Sequence, residues 1–154
     1  MGADLTRWYR WGALAASAGG AAVSAYLTIE HYTTPALLAC PEGTVVNCQK
    51  VTTSAQSVVL GVPVALAGLL FFLAMVALTL PPLWRARPTY VRSLRVGAAA
   101  AGVAFVLYLV YAELFLVNAI CLWCTVAHVA ALALLAIVGF ATAEAPADAP
   151  ARSH

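Results

Sequence analysis

The chain has 154 residues, 64% of them hydrophobic and 9% charged, with a formal net charge of +2. Soluble domains run at roughly 45–50% apolar and about 25% charged residues, and a chain this short leaves too much surface exposed to hide the excess. An ordinary soluble domain and a disordered segment are excluded, and eight basic against six acidic groups make no electrostatic footprint for nucleic acid.

Four apolar segments follow one another, roughly Trp11–Ile29, Val62–Leu80, Val96–Val117 and Ile120–Phe140. Each has about the 20 residues a helix needs to cross a hydrocarbon core, and four short spans cannot close a barrel. The expected fold is therefore an all-α integral membrane protein, a four-transmembrane-helix bundle. The first segment follows Arg7 and Arg10 and carries small residues around Ser17, as a secretory signal would. Its apolar stretch exceeds the roughly 7–15 residues of a signal core, so it is read as a retained helix.

Basic residues set the expected orientation. Arg7 and Arg10 precede the first helix, Arg85, Arg87, Arg92 and Arg95 lie between the second and third, and Arg152 lies in the tail. The first loop has only Lys50, and the turn around Asn118 has no basic residue. Lys and Arg collect in cytoplasmic loops, which predicts cytoplasmic termini, a cytoplasmic second loop, and an extracytoplasmic loop at 31–61. Pro81-Pro82 ends the second helix, and Pro88 keeps the basic loop from becoming helical. The long first loop is of a length that is usually functional or disordered; Val58-Val59-Leu60 and Thr52-Thr53-Ser54 suggest a short helix or an interfacial segment. Residues 1–140 are expected to form one four-helix transmembrane domain, and the Ala/Pro-rich residues 141–154 a disordered cytoplasmic tail.

The four cysteines form two pairs, Cys40 and Cys48 in the first loop and Cys121 and Cys124 in a Cys-Leu-Trp-Cys motif. The predicted topology puts all four on the non-cytoplasmic side, where disulfides form and persist. Cys121 is expected on the first turn of a helix, where free N–H groups and the macrodipole favour a thiolate, the species that attacks disulfides. Cys40 and Cys48, near Pro41 and Gly43, can pair with each other, and the loop can bring Cys48 towards Cys121 for a mixed disulfide. A four-sulfur zinc site and two purely structural disulfides stay open as alternatives. The first weighs less because zinc thiolates are uncommon in oxidising space, the second because a CxxC bridge closes too small a loop to contribute much. Covalent haem attachment fails, since position 125 is Thr where His is required.

The run Cys40-Pro-Glu-Gly-Thr-Val-Val-Asn-Cys48, then Lys50-Val51, Thr53-Ser54 and Cys121-Leu-Trp-Cys124, closely resembles the vitamin K epoxide reductase family in its bacterial single-domain form. The resemblance covers roughly Trp8 to Phe140. It implies a helical bundle around a quinone of menaquinone, ubiquinone or vitamin K type, with no metal. Carried over by position, it implies that Cys40 meets an external thiol, Cys48 exchanges with Cys121, and Cys124 faces the quinone, with the Ser54 hydroxyl close by. Two departures stand out: His128 replaces a Tyr that hydrogen-bonds the quinone in animal members, and the segment supplying them an Asn has no counterpart. Plain quinone reduction is thus expected ahead of epoxide reduction. Bacterial members often carry a fused thioredoxin-like domain; here a separate thioredoxin-like extracytoplasmic protein is the expected partner, with membrane lipid.

Cys121, Cys124 and His128 fall at spacings of three and four, on one helix face. A polar side chain at the depth of His128 is expensive without a function or a partner, and contact with the quinone is the favoured role. Glu113 is expected to reach the membrane interface, with proton delivery as its second reading. Tyr108, Tyr111 and Phe115 run along the third helix as packing residues or as a quinone wall. Trp8, Trp11, Tyr26 and Tyr32 read as interface anchors, and Trp123 is expected to pack at the mouth. The activity so implied is thiol:quinone oxidoreduction in a multi-pass cell-membrane protein, driving disulfide formation in exported proteins. Vitamin K epoxide or quinone reduction, and a non-catalytic bundle with structural disulfides, are the alternatives.

Overall fold

The computed structural model describes residues 2–33, 39–85 and 89–143. Its elements in chain order are α1 (Gly2–Tyr32), α2 (Cys48–Thr52), a 3₁₀ turn (Ala55–Ser57), a hairpin of β1 (Val58–Val59) and β2 (Val62–Pro63), α3 (Val64–Thr79), α4 (Pro81–Arg85), α5 (Thr89–Tyr111) with a π-helical continuation (Ala112–Val117), and α6 (Leu122–Ala143). Three helical stretches, Asp4–Tyr32, Thr89–Val117 and Leu122–Ala143, are long and apolar enough to cross a membrane. Large apolar side chains such as Leu70, Leu73, Leu107 and Leu132 remain exposed on the outer faces of the bundle. Apolar surface of that extent suits lipid, not water.

The helix bounds differ from the sequence expectation for local reasons. α1 begins well before Trp11, because Arg7 and Arg10 lie on helical turns beneath the apolar stretch. α3 is shorter than the segment 62–80, since Val62 and Pro63 belong to the hairpin, in register Val58↔Pro63 and Val59↔Val62. The hairpin turns on Leu60 (φ 53°) and Gly61 (φ 80°), the pair of positive φ values that a two-residue turn requires. So Val58–Leu60 belongs to a hairpin and not to a helix, although α2 supplies a short helix just before it. At 16 residues α3 measures about 24 Å, short of a core about 30 Å thick. The basic connection holds a further helix, α4, where the prolines predicted none; Pro81 and Pro82 are tolerated in its first turn, where the missing N–H groups bond nothing. Ala141–Ala143 extend α6 into the residues expected to be a disordered tail. Arg87, Pro88, Arg152 and the remainder of that tail lie outside the described residues.

Small residues set the helix approaches. A Cβ on Gly20 of α1 would run into the Phe72 ring of α3, and one on Gly102 of α5 into the Phe71 ring; membrane helix interfaces favour small residues for this reason. Buried hydroxyls on Ser17, Thr28 and Thr79 donate to the carbonyls of Ala13, Ser24 and Met75, one turn back, at 2.6–2.8 Å, which removes the cost of an unpaired polar group in an apolar core. Far from the cysteines, buried Arg95 donates to the carbonyls of Leu78 (3.1 Å) and Leu83 (3.3 Å) and lies over the Trp84 ring at 4.2 Å. It satisfies carbonyls left over where α3 and α4 end and ties both to α5.

Candidate redox site and cavity

The site is assembled by backbone pairing between distant loops. Val46 forms a parallel bridge with Ile120, through Asn47 N–H to the Ile120 carbonyl (3.1 Å) and Ile120 N–H to the Val45 carbonyl (2.9 Å). Asn47 then caps α2, its side chain accepting from Lys50 N–H at 2.9 Å, a favoured N-cap arrangement. Cys48 is thereby fixed as the first residue of α2. On the other side, Asn118 takes a left-handed conformation (φ 53°, ψ 45°) and ends the π-helical turn.

Because Ile120 is committed to the bridge, α6 starts at Leu122 and Cys121 is its N-cap, not a residue of its first turn. The Cys121 sulfur accepts the Cys124 backbone N–H at 3.2 Å, and its carbonyl accepts Thr125 N–H at 2.9 Å. Sulfur here occupies the place of a capping oxygen. The Cys124 thiol's hydrogen bond, helped by the backbone N–H of Cys124, lowers the Cys121 thiol below its ordinary range, against the opposing effects of burial and of Glu113.

Cys40 and Cys48 form a disulfide, with Cα atoms 6.1 Å apart, whereas Cys121 and Cys124 are free thiols. Cys48, Val51, Val117, Ala119 and Cys121 form one buried cluster, and Cys40, Trp123 and Cys124 pack against it. Cys48 and Cys121 are almost completely enclosed, at 1% and 0% exposure, while Cys40 and Cys124 are half-buried.

Beside this cluster lies an apolar cavity of about 340 Å³ between α1, α3, α5 and α6, within the usual range for small-molecule sites. Cys124, His128, Glu113 and Ser54 all line it, with Phe71, Phe72 and Phe105 among the apolar walls. Glu113, expected at the interface, is buried at 7% exposure, because it falls on the helix face that is turned to the cavity. Ser54 is held by its hydroxyl bond to the Val51 carbonyl (2.7 Å). The apolar walls with a few polar groups near one end suit a flat, largely apolar ring bearing carbonyl oxygens.

Tyr108 and Tyr111 are not among the lining residues; they are 43% and 52% exposed, Tyr111 stacked on Phe115 and Tyr108 on Phe105. The cavity face of α5 runs through Gly102, Phe105, Leu109 and Glu113, at the three- and four-residue spacing of one helix face, and the two tyrosines fall on the other side. Tyr26, expected as an interface anchor, packs on Trp123 with ring centres 5.1 Å apart. Trp8, Trp11 and Tyr32 are exposed. Sequence reading passed over His31 and Phe105, both of which line the cavity. A signal for His31 existed, since Ser24, Leu27 and His31 repeat at spacings of three and four on α1.

Fold and site together define a class: an apolar helical membrane protein in which a disulfide and a dithiol share one end beside an apolar cavity. The model of the vitamin K epoxide reductase family matches residues 11–139, and the chain belongs to that family. Its members are membrane oxidoreductases, and they generally take quinones as substrates.

Proposed function

We propose that this chain is a thiol:quinone oxidoreductase that carries electrons from a separate thioredoxin-like protein, through Cys40/Cys48 and then Cys121/Cys124, to a quinone, and so drives disulfide formation in exported proteins. The observation that carries this reading is the shared cluster of all four cysteines, with Cys124 lining the cavity. In this reading α3 is a fourth span, both termini are cytoplasmic, and the cysteine end faces outward in the cell membrane.

Each residue's exposure suits one step. Half-buried Cys40 receives the partner's thiolate; the Cys40–Cys48 bond breaks, and the partner's second thiol closes the partner's own disulfide. The reduced Cys48 attacks Cys121 of an oxidised Cys121–Cys124 pair, forming a Cys48–Cys121 bond and releasing Cys124 as thiolate. Cys40 then attacks Cys48, restoring the loop disulfide and leaving Cys121 and Cys124 reduced. That is the distribution observed, a loop disulfide beside a free dithiol. Burial of Cys48 and Cys121 keeps this exchange away from water and competing thiols. A quinone supplies the acceptor for two electrons and two protons; in this reading Ser54, Glu113 and His128, among the polar residues that line the cavity, hold its oxygens, and Cys124 is the cysteine that lines it.

Cys124→Ser tests the reading. It should abolish dithiol-dependent quinone reduction and accumulate a Cys48–Cys121 link, detected by mass spectrometry of non-reduced peptides. Intact quinone reduction in Cys124→Ser would overturn the proposal in favour of a bundle with structural disulfides.

A further inference from the structure

Glu30, in the last turns of α1, is a carboxylate at 5% exposure, and its Oε2 has no hydrogen-bond partner among the described residues. An unpaired buried carboxylate oxygen is costly unless water or a function occupies it. It lines a second cavity of about 290 Å³, whose other walls are His31, Thr52, Thr53, Ser54, Ser57 and Val58. Four of these, His31, Thr52, Ser54 and Ser57, also line the apolar cavity. A polar chamber able to hold several waters thus shares a wall of hydroxyls and one imidazole with the chamber that Cys124 faces.

We propose that Glu30 is a proton relay for the quinone chamber, passing protons from water in the polar chamber through the His31 and Ser54 wall. This rests on the proposed function and deepens it. Closing the Cys121–Cys124 disulfide removes two electrons from the two sulfurs, while quinol formation requires two electrons and two protons. Cys121 is fully buried and, unlike Cys124, does not line the quinone chamber, so its proton is given up to water over the cycle and does not pass to a ring oxygen, and one proton comes in by another path. Glu30 takes up a proton from water in the polar chamber and hands it to the shared wall, from which one proton passes to a ring oxygen. The Glu30 carboxylate left behind takes a replacement from water. Electrons come only from the sulfurs, and no further oxidant or reductant is needed.

The test uses the full-length protein in lipid nanodiscs, with dithiothreitol as the thiol donor and a short-chain ubiquinone analogue as acceptor. Glu30→Gln keeps the shape and removes the exchangeable proton. It should lower kcat at least about tenfold, against the factor of roughly 10²–10⁴ that a positioned acid–base group contributes, with KM for the analogue unchanged within about twofold. Glu30→Asp, or formate added to Glu30→Gln, should restore most of the loss. Independently of turnover, the infrared difference spectrum between quinone- and quinol-bound protein should contain a carboxyl band that Glu30→Gln removes. A kcat within about twofold of the parent, a loss that neither Asp nor formate restores, or a difference spectrum unaltered by Glu30→Gln overturns the relay. If the parent protein itself fails to reduce the analogue, the functional reading falls and the relay with it; an active parent with an equally active Glu30→Gln removes the relay alone.

Discussion

The indole Nε1–H of Trp123 donates to the Ala39 carbonyl at 3.1 Å, joining residues 84 positions apart. The Ala39 N–H in turn donates to the Tyr26 hydroxyl at 3.2 Å, and the Tyr26 and Trp123 rings pack together. The residue just before Cys40 is therefore clamped by α1 on one side and by the CxxC turn on the other. The middle of the motif positions the loop couple as well as separating the two thiols.

Trp123→Phe keeps the ring packing and removes the donor. One lost hydrogen bond is worth about 1 kcal/mol, so loop opening should become about fivefold more frequent. Reduction of the Cys40–Cys48 disulfide by dithiothreitol should accelerate by about that factor, read by timed alkylation and gel shift. An unchanged rate would mean that opening at Ala39 does not limit access to the disulfide.

The hydrogen bond from Cys124 holds Cys121 low, so its thiolate persists to lower pH than that of a free cysteine, whose pKa is about 8.5. Thiolate absorbance of the dithiol form should rise at lower pH than that of an unperturbed cysteine in the same detergent. Cys124→Ala removes the thiol donor and should move the inflection upward, since the protonated form is then relatively favoured. Glu113→Gln removes a charge that opposes the thiolate and should move it downward. The two shifts have opposite signs.

His128 lines the cavity one helical turn beyond Cys124 and is buried at 7% exposure. If it holds a quinone oxygen, His128→Ala should raise KM for the quinone about tenfold, equivalent to roughly 1.4 kcal/mol. Exchange from Cys48 to Cys121 should proceed at the parent rate, measured by quenched alkylation in the absence of quinone.

Gly102 and Gly97 lie on the same helix and should respond oppositely. A methyl at Gly102 meets the Phe71 ring on the cavity wall, whereas one at Gly97 meets nothing within 4 Å. Gly102→Ala should destabilise by about 1–3 kcal/mol through overpacking and weaken quinone binding. Gly97→Ala should be neutral or stabilising by up to about 1 kcal/mol through helix propensity. Thermal unfolding in detergent and quinone titration separate them.

Arg95→Met removes two hydrogen bonds to carbonyls and the stacking on Trp84. A loss of about 2–4 kcal/mol is expected from bonds to a charged donor and a partly desolvated cation–π contact. Because this anchor lies at the end remote from the cysteines, unfolding should occur at lower temperature while thiol exchange at low temperature keeps its rate.

The apolar helices were legible in the sequence because about 20 consecutive apolar residues leave few other possibilities, and the spacing of Cys40, Cys48, Cys121 and Cys124 pointed to the family that residues 11–139 match. Helix ends were less legible. Val62 and Pro63 look like the start of an apolar helix until a partner strand, Val58–Val59, is available to pair with them. Ile120 likewise looks helical until Val46 claims it. Such pairings join segments far apart in the chain, and composition carries no trace of them.

The amino-acid order alone determined that this chain is apolar enough for a membrane and carries two cysteine couples in the family's order. Only the folded molecule decided which way each helix faces. A helix apolar on all sides has no polar stripe to mark its outer surface, so Tyr108 and Phe105 are equivalent on paper, yet packing puts Phe105 at the cavity and Tyr108 outside. The same rotation carries Glu113 inward, and the end of α1 encloses Glu30 beside the site. Those placements arise from small residues such as Gly20 and Gly102 admitting neighbouring rings, a matter of close contact between helices that no single segment encodes.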